Sequence, residues 1–319
     1  MRANAAQQVR SRPMAWHVRL LALLLALAGR VPLRALHAIG AGASRLAHWL
    51  GTREYRVARR NAELCFPGFD EDRRRAFVRA TLAESGRGLA ELPRFWSGDP
   101  QRALGLIRHV HGREHVDAAL AAGRGLLIAA PHLGAWELLN LYLRTLGPLT
   151  ILYRVPQRPE FEPLLVRART ALGAEAVRAE AAGVRLLFRR LKEGRIVGIL
   201  PDQRPKGGEG VDAPFHGHPV RTMTLLSRLA HKTGAPVVFG FAERLPRGAG
   251  FTVHFLAADS AIADADPVVA ATALNRGIEA CVRLAPAQYQ WTYKRFSYRE
   301  DGDTGPDPVY GKWKRKRKR

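Results

Sequence analysis

A histidine and a glutamate five residues apart, His132 and Glu137, follow a short apolar run in the stretch Gly125-Leu126-Leu127-Ile128-Ala129-Ala130-Pro131-His132-Leu133-Gly134-Ala135-Trp136-Glu137. An imidazole held at one ring nitrogen by a carboxylate has its other nitrogen free to take a proton. An ordinary imidazole titrates at ~6.5, so such a pair suits general-base chemistry near neutral pH. On a single helix the two residues would stand roughly 140° apart around the axis. They meet only if His132 sits in a loop and Glu137 in the first turn of the helix that follows. The same spacing arises by chance in many chains. Its place at the carboxyl end of a predicted parallel strand, where open α/β sheets put their sites, weights it towards catalysis.

Three further groups of residues could join that chemistry. Arg154 and Asp202 each follow an apolar run, as His132 does, and polar residues at adjacent strand ends converge on one crevice. The rigid fork of Arg154 suits a phosphate or a carbonyl oxygen; the plain alternative is a surface arginine beside a turn. Asp202 and Gln203 either orient Arg154 or an acceptor, or cap the loop before Gly207 and Gly208. Arg167 and Arg169 are candidates for phosphate contact, with a solvated helix face as the plainer reading of at least one. His216 and His218 flank Gly217 but have no carboxylate or cysteine at metal-ligand spacing, so no metal is expected. Cys65 and Cys281 are isolated and predict neither a disulfide nor a zinc site. No cofactor is expected either, since neither a dinucleotide fingerprint nor GxxxxGK[ST] occurs. The absence of GxSxG argues against a serine nucleophile.

The elements that must position these residues alternate. Ahead of His132 lies a strand at 125–130, and Leu138, Leu139, Leu141, Tyr142, Leu143 and Leu146 give the helix after it a period near 3.6. Pro131 favours an extended Ala130 and carries the strand to the histidine. Strands at 149–155, 196–200, 236–242 and 251–256 interleave with helices at 160–173, 183–193, 222–232 and 268–284. A strand and a short helix precede them at 106–122. The fold class expected is α/β, with a mixed, mostly parallel sheet covered by helices on both faces. Residues 53–98 read as a helical layer halted at Pro93.

At 319 residues and 47% apolar the chain can bury a large core. Its formal charge is +23, of which seven positive charges lie in Lys312–Arg319. Such a balance implies an anionic partner: membrane, nucleic acid, or acidic protein and phosphorylated substrate. No helix-turn-helix, RRM or zinc-finger pattern supports nucleic acid. Leu20–Ala28 is too short to span a bilayer, which needs ~20 apolar residues. With Val31, Leu33, Leu36, Ile39, Leu46, Trp49 and Leu50 it reads as a basic amphipathic anchor, preferred over a signal peptide cleaved before Gly29. The division expected is an anchor at 1–50, a catalytic domain at 51–302, and a flexible linker with polybasic tail at 303–319.

The segment from His132 to Glu137 resembles the HX4D/E block of the glycerolipid acyltransferase superfamily. Further blocks narrow the resemblance: Tyr153-Arg154-Val155-Pro156, Leu200-Pro201-Asp202-Gln203, Ala213-Pro214-Phe215-His216-Gly217, Gly234-Ala235-Pro236-Val237-Val238, and Gln288-Tyr289-Gln290-Trp291-Thr292-Tyr293-Lys294-Arg295-Phe296. Each is weak alone; in this order, over residues 15–302, they resemble the bacterial lipid A biosynthesis acyltransferases of the lauroyl/myristoyl type. His216 departs from the pattern, standing where that family usually carries a second aromatic. The resemblance implies an acyl-carrier protein or acyl-CoA donor, a phosphorylated glycolipid acceptor, and the cytoplasmic face of a bacterial inner membrane. It implies His132 as base and Glu137 as its orienting partner, and it favours a role for Asp202 and Gln203; with Arg154 and Arg169 these are the expected substrate contacts. Oxyanion donors are expected from backbone N–H groups near Gly134 or from Arg154. Other readings are the same chemistry on a lysophospholipid, glycolipid or aminolipid, and a non-enzymatic basic protein that binds membrane or nucleic acid.

Overall fold

A computed structural model of the chain describes residues 15–97, 99–205, 209–297 and 307–311. Nine strands and eleven α-helices form among these residues. Helices α1 (Trp16–Ala28), α2 (Leu33–Trp49), α3 (Arg53–Cys65), α4 (Glu71–Trp96) and α5 (Pro100–Leu104) come first. Then follow β1 (Ile107–His111), α6 (Arg113–Ala121), β2 (Leu126–Ala129), α7 (Trp136–Leu146), β3 (Leu149–Tyr153), α8 (Glu162–Arg169), β4 (Glu175–Arg178), α9 (Ala181–Lys192) and β5 (Ile196–Ile199). The chain continues through β6 (Val211–Phe215), β7 (His218–Thr222), α10 (Leu225–Thr233), β8 (Val237–Arg244), β9 (Phe251–Ala257) and α11 (Pro267–Leu284).

Seven strands form one sheet in the order β1-β9-β8-β2-β5-β3-β4. The five from β8 to β4 are mutually parallel, while β9 is antiparallel to β8 and carries β1 alongside it. Strand β2 lies at the centre, and all four of its residues are buried, as a strand covered on both faces requires. Its side chains alternate: Leu127 and Ala129 join the core of α9, α10 and α11, through Leu187, Leu226 and Leu274. Leu126 and Ile128 face α6 and α7 through Val116, Leu138 and Leu139. The expected mostly parallel sheet, sandwiched between helices, is the fold that forms.

Several elements depart from expectation. Strand β4 and the β6–β7 hairpin lie where the sequence pattern predicts no strand. Pro214 and Pro219 argue against strands, yet they face each other in a ribbon of only two strands, where a missing N–H costs little. The turn His216-Gly217 has positive φ at both residues, 49° and 78°, the backbone a two-residue hairpin turn needs. Helix α4 does not stop at Pro93 but runs on to Trp96, because a proline three residues from the end removes only one internal bond. The helix expected over 160–173 shortens to α8 between two turns of 3-10 helix, at Pro159–Phe161 and Ala171–Gly173.

The amino-terminal segment is a helix pair bent by 117° between α1 and α2. Among the described residues no single helix is long and apolar enough to cross a membrane, though this bent pair together passes on length and apolarity. Helix α2 is no loose appendage. It crosses α4 at Gly40 and Gly86, where a Cβ on Gly40 would lie 2.3 Å from the Gly86 carbonyl oxygen. At the other end, part of the expected flexible linker is docked: Tyr310 Oη bonds Asn61 Oδ1 at 2.5 Å, and Arg60 Nε donates to the Val309 carbonyl. Residues 1–14, Gly207, Gly208 and the basic tail Lys312–Arg319 lie outside the described residues.

Candidate active site

The carboxyl ends of β2 and β5 are neighbours, and the loops that leave them carry His132 and Asp202. The Asp202 carboxylate grips the histidine twice. His132 Nδ1 lies 2.7 Å from Oδ1, and the His132 backbone N–H donates to Oδ2 at 2.8 Å. A carboxylate only accepts, so Nδ1 carries the hydrogen and Nε2 holds the lone pair. Gln203 Nε2 donates to that Nε2 at 3.2 Å and to Gln290 Oε1 at 3.0 Å. Nε2 therefore faces the Gln203 amide, a polar group held in turn by Gln290.

Asp202 is 2% exposed. Burial pushes its carboxyl upward, but the His132 charge, the hydrogen bonds from His132 and the nearby Arg295 outweigh that and hold it below the usual carboxylate range. The buried Tyr289 beside it is pushed well above the ordinary phenol, by burial first and the Asp202 charge second, and stays neutral. Burial lowers Arg295, whose guanidinium donates to the Arg221 carbonyl and Thr222 Oγ1.

Glu137 does not touch His132, contrary to expectation. It is the second residue of α7 and turns towards α8, where Arg169 Nη2 and Nε donate to Oε1 at 2.7 and 3.2 Å. Asp202 takes the expected place because β5 lies directly beside β2, so its loop meets the His132 loop edge to edge. Among the described residues nothing accepts from Arg169 Nη1, so that end of the part-buried guanidinium has no protein partner. Arg154 stands apart, exposed at the end of β3, with no hydrogen bond or ion pair among the described residues. Its charge reaches Tyr293, whose hydroxyl accepts the Arg204 N–H at 3.0 Å.

The expected oxyanion donors are also displaced. Gly134 N–H donates to the Gln288 carbonyl and Ala135 N–H to the Ala242 carbonyl, so neither is free. The N–H groups of Trp136 and Glu137, the first two of α7, have no acceptor among the described residues, and the helix has no side-chain cap. Gly134 is required by shape: its φ is +62°, and a Cβ there would lie 2.0 Å from the Ala242 oxygen. His132 O accepts from the Gln290 N–H at 3.0 Å, so the loop is sewn to the Gln288–Trp291 segment. Gln290 was legible only as part of a motif block. Its role needs the third dimension, since it lies far from His132 in sequence.

The remaining histidines part company. His216 packs among Phe66, Phe215 and Trp291, and burial lowers its pKa, so it serves as a neutral ring in an aromatic cluster. His218 Nε2 meets the Leu64 carbonyl. Among the described residues no group of three or more histidine, cysteine or acidic side chains could hold a metal.

A family model described as bacterial lipid A biosynthesis acyltransferase matches residues 5–298. The chain is 28% identical to the lipid A biosynthesis lauroyltransferase of Escherichia coli K12 over 274 residues, 86% of this chain and 89% of that one. It is 25% identical to a lipid A biosynthesis acyltransferase of Haemophilus influenzae, covering 92% and 91% of the two chains. A phosphatidylinositol mannoside acyltransferase of Mycobacterium tuberculosis is 32% identical over 183 residues, 55% of this chain and 57% of the relative.

Proposed function

This chain belongs to the bacterial lipid A biosynthesis acyltransferase family, and we propose that it moves an acyl chain from the thioester of an acyl-carrier protein or coenzyme A to a hydroxyl of a lipid A precursor. The observation that carries the reading is the 2.7 Å contact of His132 Nδ1 with the buried Asp202, which leaves the Nε2 lone pair of a partly exposed ring to the Gln203 amide alone. The acceptor hydroxyl displaces the Gln203 amide, gives its proton to Nε2, and its oxygen attacks the thioester carbonyl carbon. Asp202 stabilises the imidazolium. The tetrahedral oxyanion takes hydrogen bonds from the Trp136 and Glu137 N–H groups at the amino end of α7, where the helix dipole also favours negative charge. When the intermediate collapses, the C–S bond breaks and the thiolate takes the proton back from Nε2. Ester and free thiol result, with no covalent enzyme intermediate.

Glu137 aims Arg169 so that its free Nη1 meets a phosphate of the acceptor. Gln203 holds the base nitrogen until that acceptor arrives, and Arg154 widens the positive rim. A formal charge of +23 suits an acidic carrier protein and a phosphorylated glycolipid alike. Helices α1 and α2 turn Leu20, Leu23, Leu24, Leu27, Ile39, Leu46 and Trp49 outward, a face suited to the lipid surface in which the acceptor resides. Soluble acyl thioesters are made in the cytoplasm, so the proposed place is the cytoplasmic face of the inner membrane. A different sugar-bearing acceptor, favoured by the likeness to the mannoside acyltransferase, is the second reading.

Purified protein given acyl-carrier-protein and CoA thioesters, with a phosphorylated lipid A precursor or a phosphatidylinositol mannoside, separates these by mass spectrometry of the products. An acylated lipid A precursor is expected. Acylation of the mannoside alone would replace the acceptor; no transfer to either would remove the proposal.

A further inference from the structure

We propose that Arg244, held by Glu91 and His37, is a positioning residue for the loop that carries the base. The three form a charged chain inside the protein: Arg244 is 6% exposed, Glu91 1% and His37 5%. Arg244 sits at the end of β8, Glu91 in α4 and His37 in α2, so the chain ties three distant segments together. Arg244 Nε and Nη2 grip Glu91 at 2.6 to 2.9 Å, and His37 Nε2 meets Glu91 Oε2 at 2.8 Å. The same Nη2 also donates to the Gly134 carbonyl at 2.8 Å. Gly134 lies two residues from His132 and two from the Trp136 N–H.

The other contacts of this loop indicate what the guanidinium does. Towards β8 and the 288–290 segment, backbone bonds hold Gly134 and Ala135. Towards α4 the packing is incomplete: a small cavity separates the loop from the helix, lined by Gly88, Leu92, Phe95, Ala135 and Trp136. On that side the loop has the Arg244 fork in place of close packing. Gly88 makes room for it, since a Cβ there would stand 2.8 Å from Arg244 Nη2. Arg244 is itself clamped through its backbone, whose N–H and carbonyl both bond the Gln288 side chain. A guanidinium fixed at both ends can hold a carbonyl in one place, which a flexible ammonium cannot do. Burying a charged chain is weak evidence for stability, because apolar residues of matched volume often serve a core as well or better. Its attachment to the one loop that must present both base and oxyanion donors points to geometry instead.

This rests on His132 being the base, so His132→Ala is measured in parallel. The test is a triple variant, His37→Leu/Glu91→Leu/Arg244→Met, which replaces the chain by apolar side chains; Glu84, whose Oε2 lies 3.7 Å from Arg244 Nη1, keeps Arg87 as its partner. The variant should fold, by near-UV circular dichroism and a cooperative melt, and keep the KM for the acyl thioester. Its kcat should fall about 10²-fold, the cost of an ångström-scale misplacement of reacting groups. Arg244→Lys supplies a second reading if the triple variant does not fold. One ammonium can donate to both Glu91 and the Gly134 carbonyl, but without the second grip of Nε on Glu91 it is not fixed in one place, so kcat should again fall at unchanged KM. Glu91→Gln keeps an oxygen for the fork and should retain most of kcat. A folded triple variant or Arg244→Lys with wild-type kcat overturns the proposal, as does a loss that merely tracks the folded fraction. If His132→Ala turned over like the wild type, the base assignment would fail first, whatever Arg244 did.

Discussion

The crevice and the amino-terminal helix pair treat their side chains in opposite ways. In the crevice the polar groups are turned inward and paired: Asp202 with His132, Glu137 with Arg169, Gln203 with Gln290, all brought from distant parts of the chain. In α1 and α2 apolar groups are turned outward and left uncovered, with Trp49 80% exposed and Leu20, Leu23, Leu24 and Leu27 on one stripe of α1. Buried polar pairs are expensive unless fully bonded, so they mark places where position matters. Exposed apolar stripes are expensive in water, so they mark surfaces that something covers. In the proposed function, chemistry and lipid contact reside in different side chains. A variant of one kind should leave the other property alone.

The largest separation should come from His132→Ala. Loss of general-base catalysis costs about 10²–10⁴-fold in kcat. Sedimentation with anionic lipid vesicles should not change. Wild-type turnover in this variant would sink the mechanism, and lost vesicle binding would sink the division between the two regions.

Next come the two carboxylates, whose roles differ although both are buried. Asp202→Asn should cost nearly as much as His132→Ala, and the double variant little more than His132→Ala alone, since the pair acts as a unit. Glu137→Gln weakens its grip on Arg169, a charge-assisted bond worth about 1.5–3 kcal/mol, or about 10–100-fold. That loss should appear chiefly in KM for the phosphorylated acceptor. The reverse ranking, with Asp202→Asn near wild type, would return the orienting role to Glu137.

The reason Glu137 looked like the partner is instructive. Strand, loop and helix around His132 were legible because their signals are local: an apolar run, Pro131, Gly134, and a 3.6-residue period after it. The parallel sheet followed from alternation of such units. Which carboxylate faces the imidazole depends instead on strand order. That β5 lies beside β2, while β3 lies one strand further out, is written in no local pattern. The place of Asp202 and Gln203 after a strand marks them as site residues, but nothing local marks Asp202 as the grip on His132. Glu91 and Arg244 were invisible, since a glutamate and an arginine 153 positions apart carry no shared signal. The hairpin is hidden by its prolines, and the last turn of α4 by Pro93.

A smaller effect is expected on the lipid side. Changing Leu20, Leu23, Leu24 and Leu27 to serine removes the outer stripe of α1 but not its buried Val18. Burying a leucine is worth about 1.5–3 kcal/mol, so even one residue fully inserted accounts for about tenfold in vesicle partitioning. Substitution is the sharper tool here than deletion. Leu33, Leu36 and Gly40 of α2 are buried, and removing residues 14–50 would open the core. Turnover on a detergent-dispersed acceptor should hold near wild type. If it collapsed with the fold intact, α1 would belong to the site.

The smallest shift expected is in acid stability, and it should be confined to the crevice. Asp202 is held below its ordinary value of about 3.9 by the His132 charge and hydrogen bonds, against the push of burial. A carboxyl depressed in the folded state contributes stability that is present above the unfolded value and is lost as pH falls through the folded one. The wild type should therefore lose this contribution only below about pH 4. Asp202→Asn lacks it at every pH. Its melting temperature should lie a few degrees below wild type at pH 7, at about 2–4 °C per kcal/mol for a domain of this size. The two curves should converge in strong acid. The α1 leucine variants carry no change in this group, so their acid limb should overlay that of the wild type. Convergence in the leucine variants, or a constant offset for Asp202→Asn down to the lowest pH, would mean that the buried carboxylate is not what stabilises the crevice.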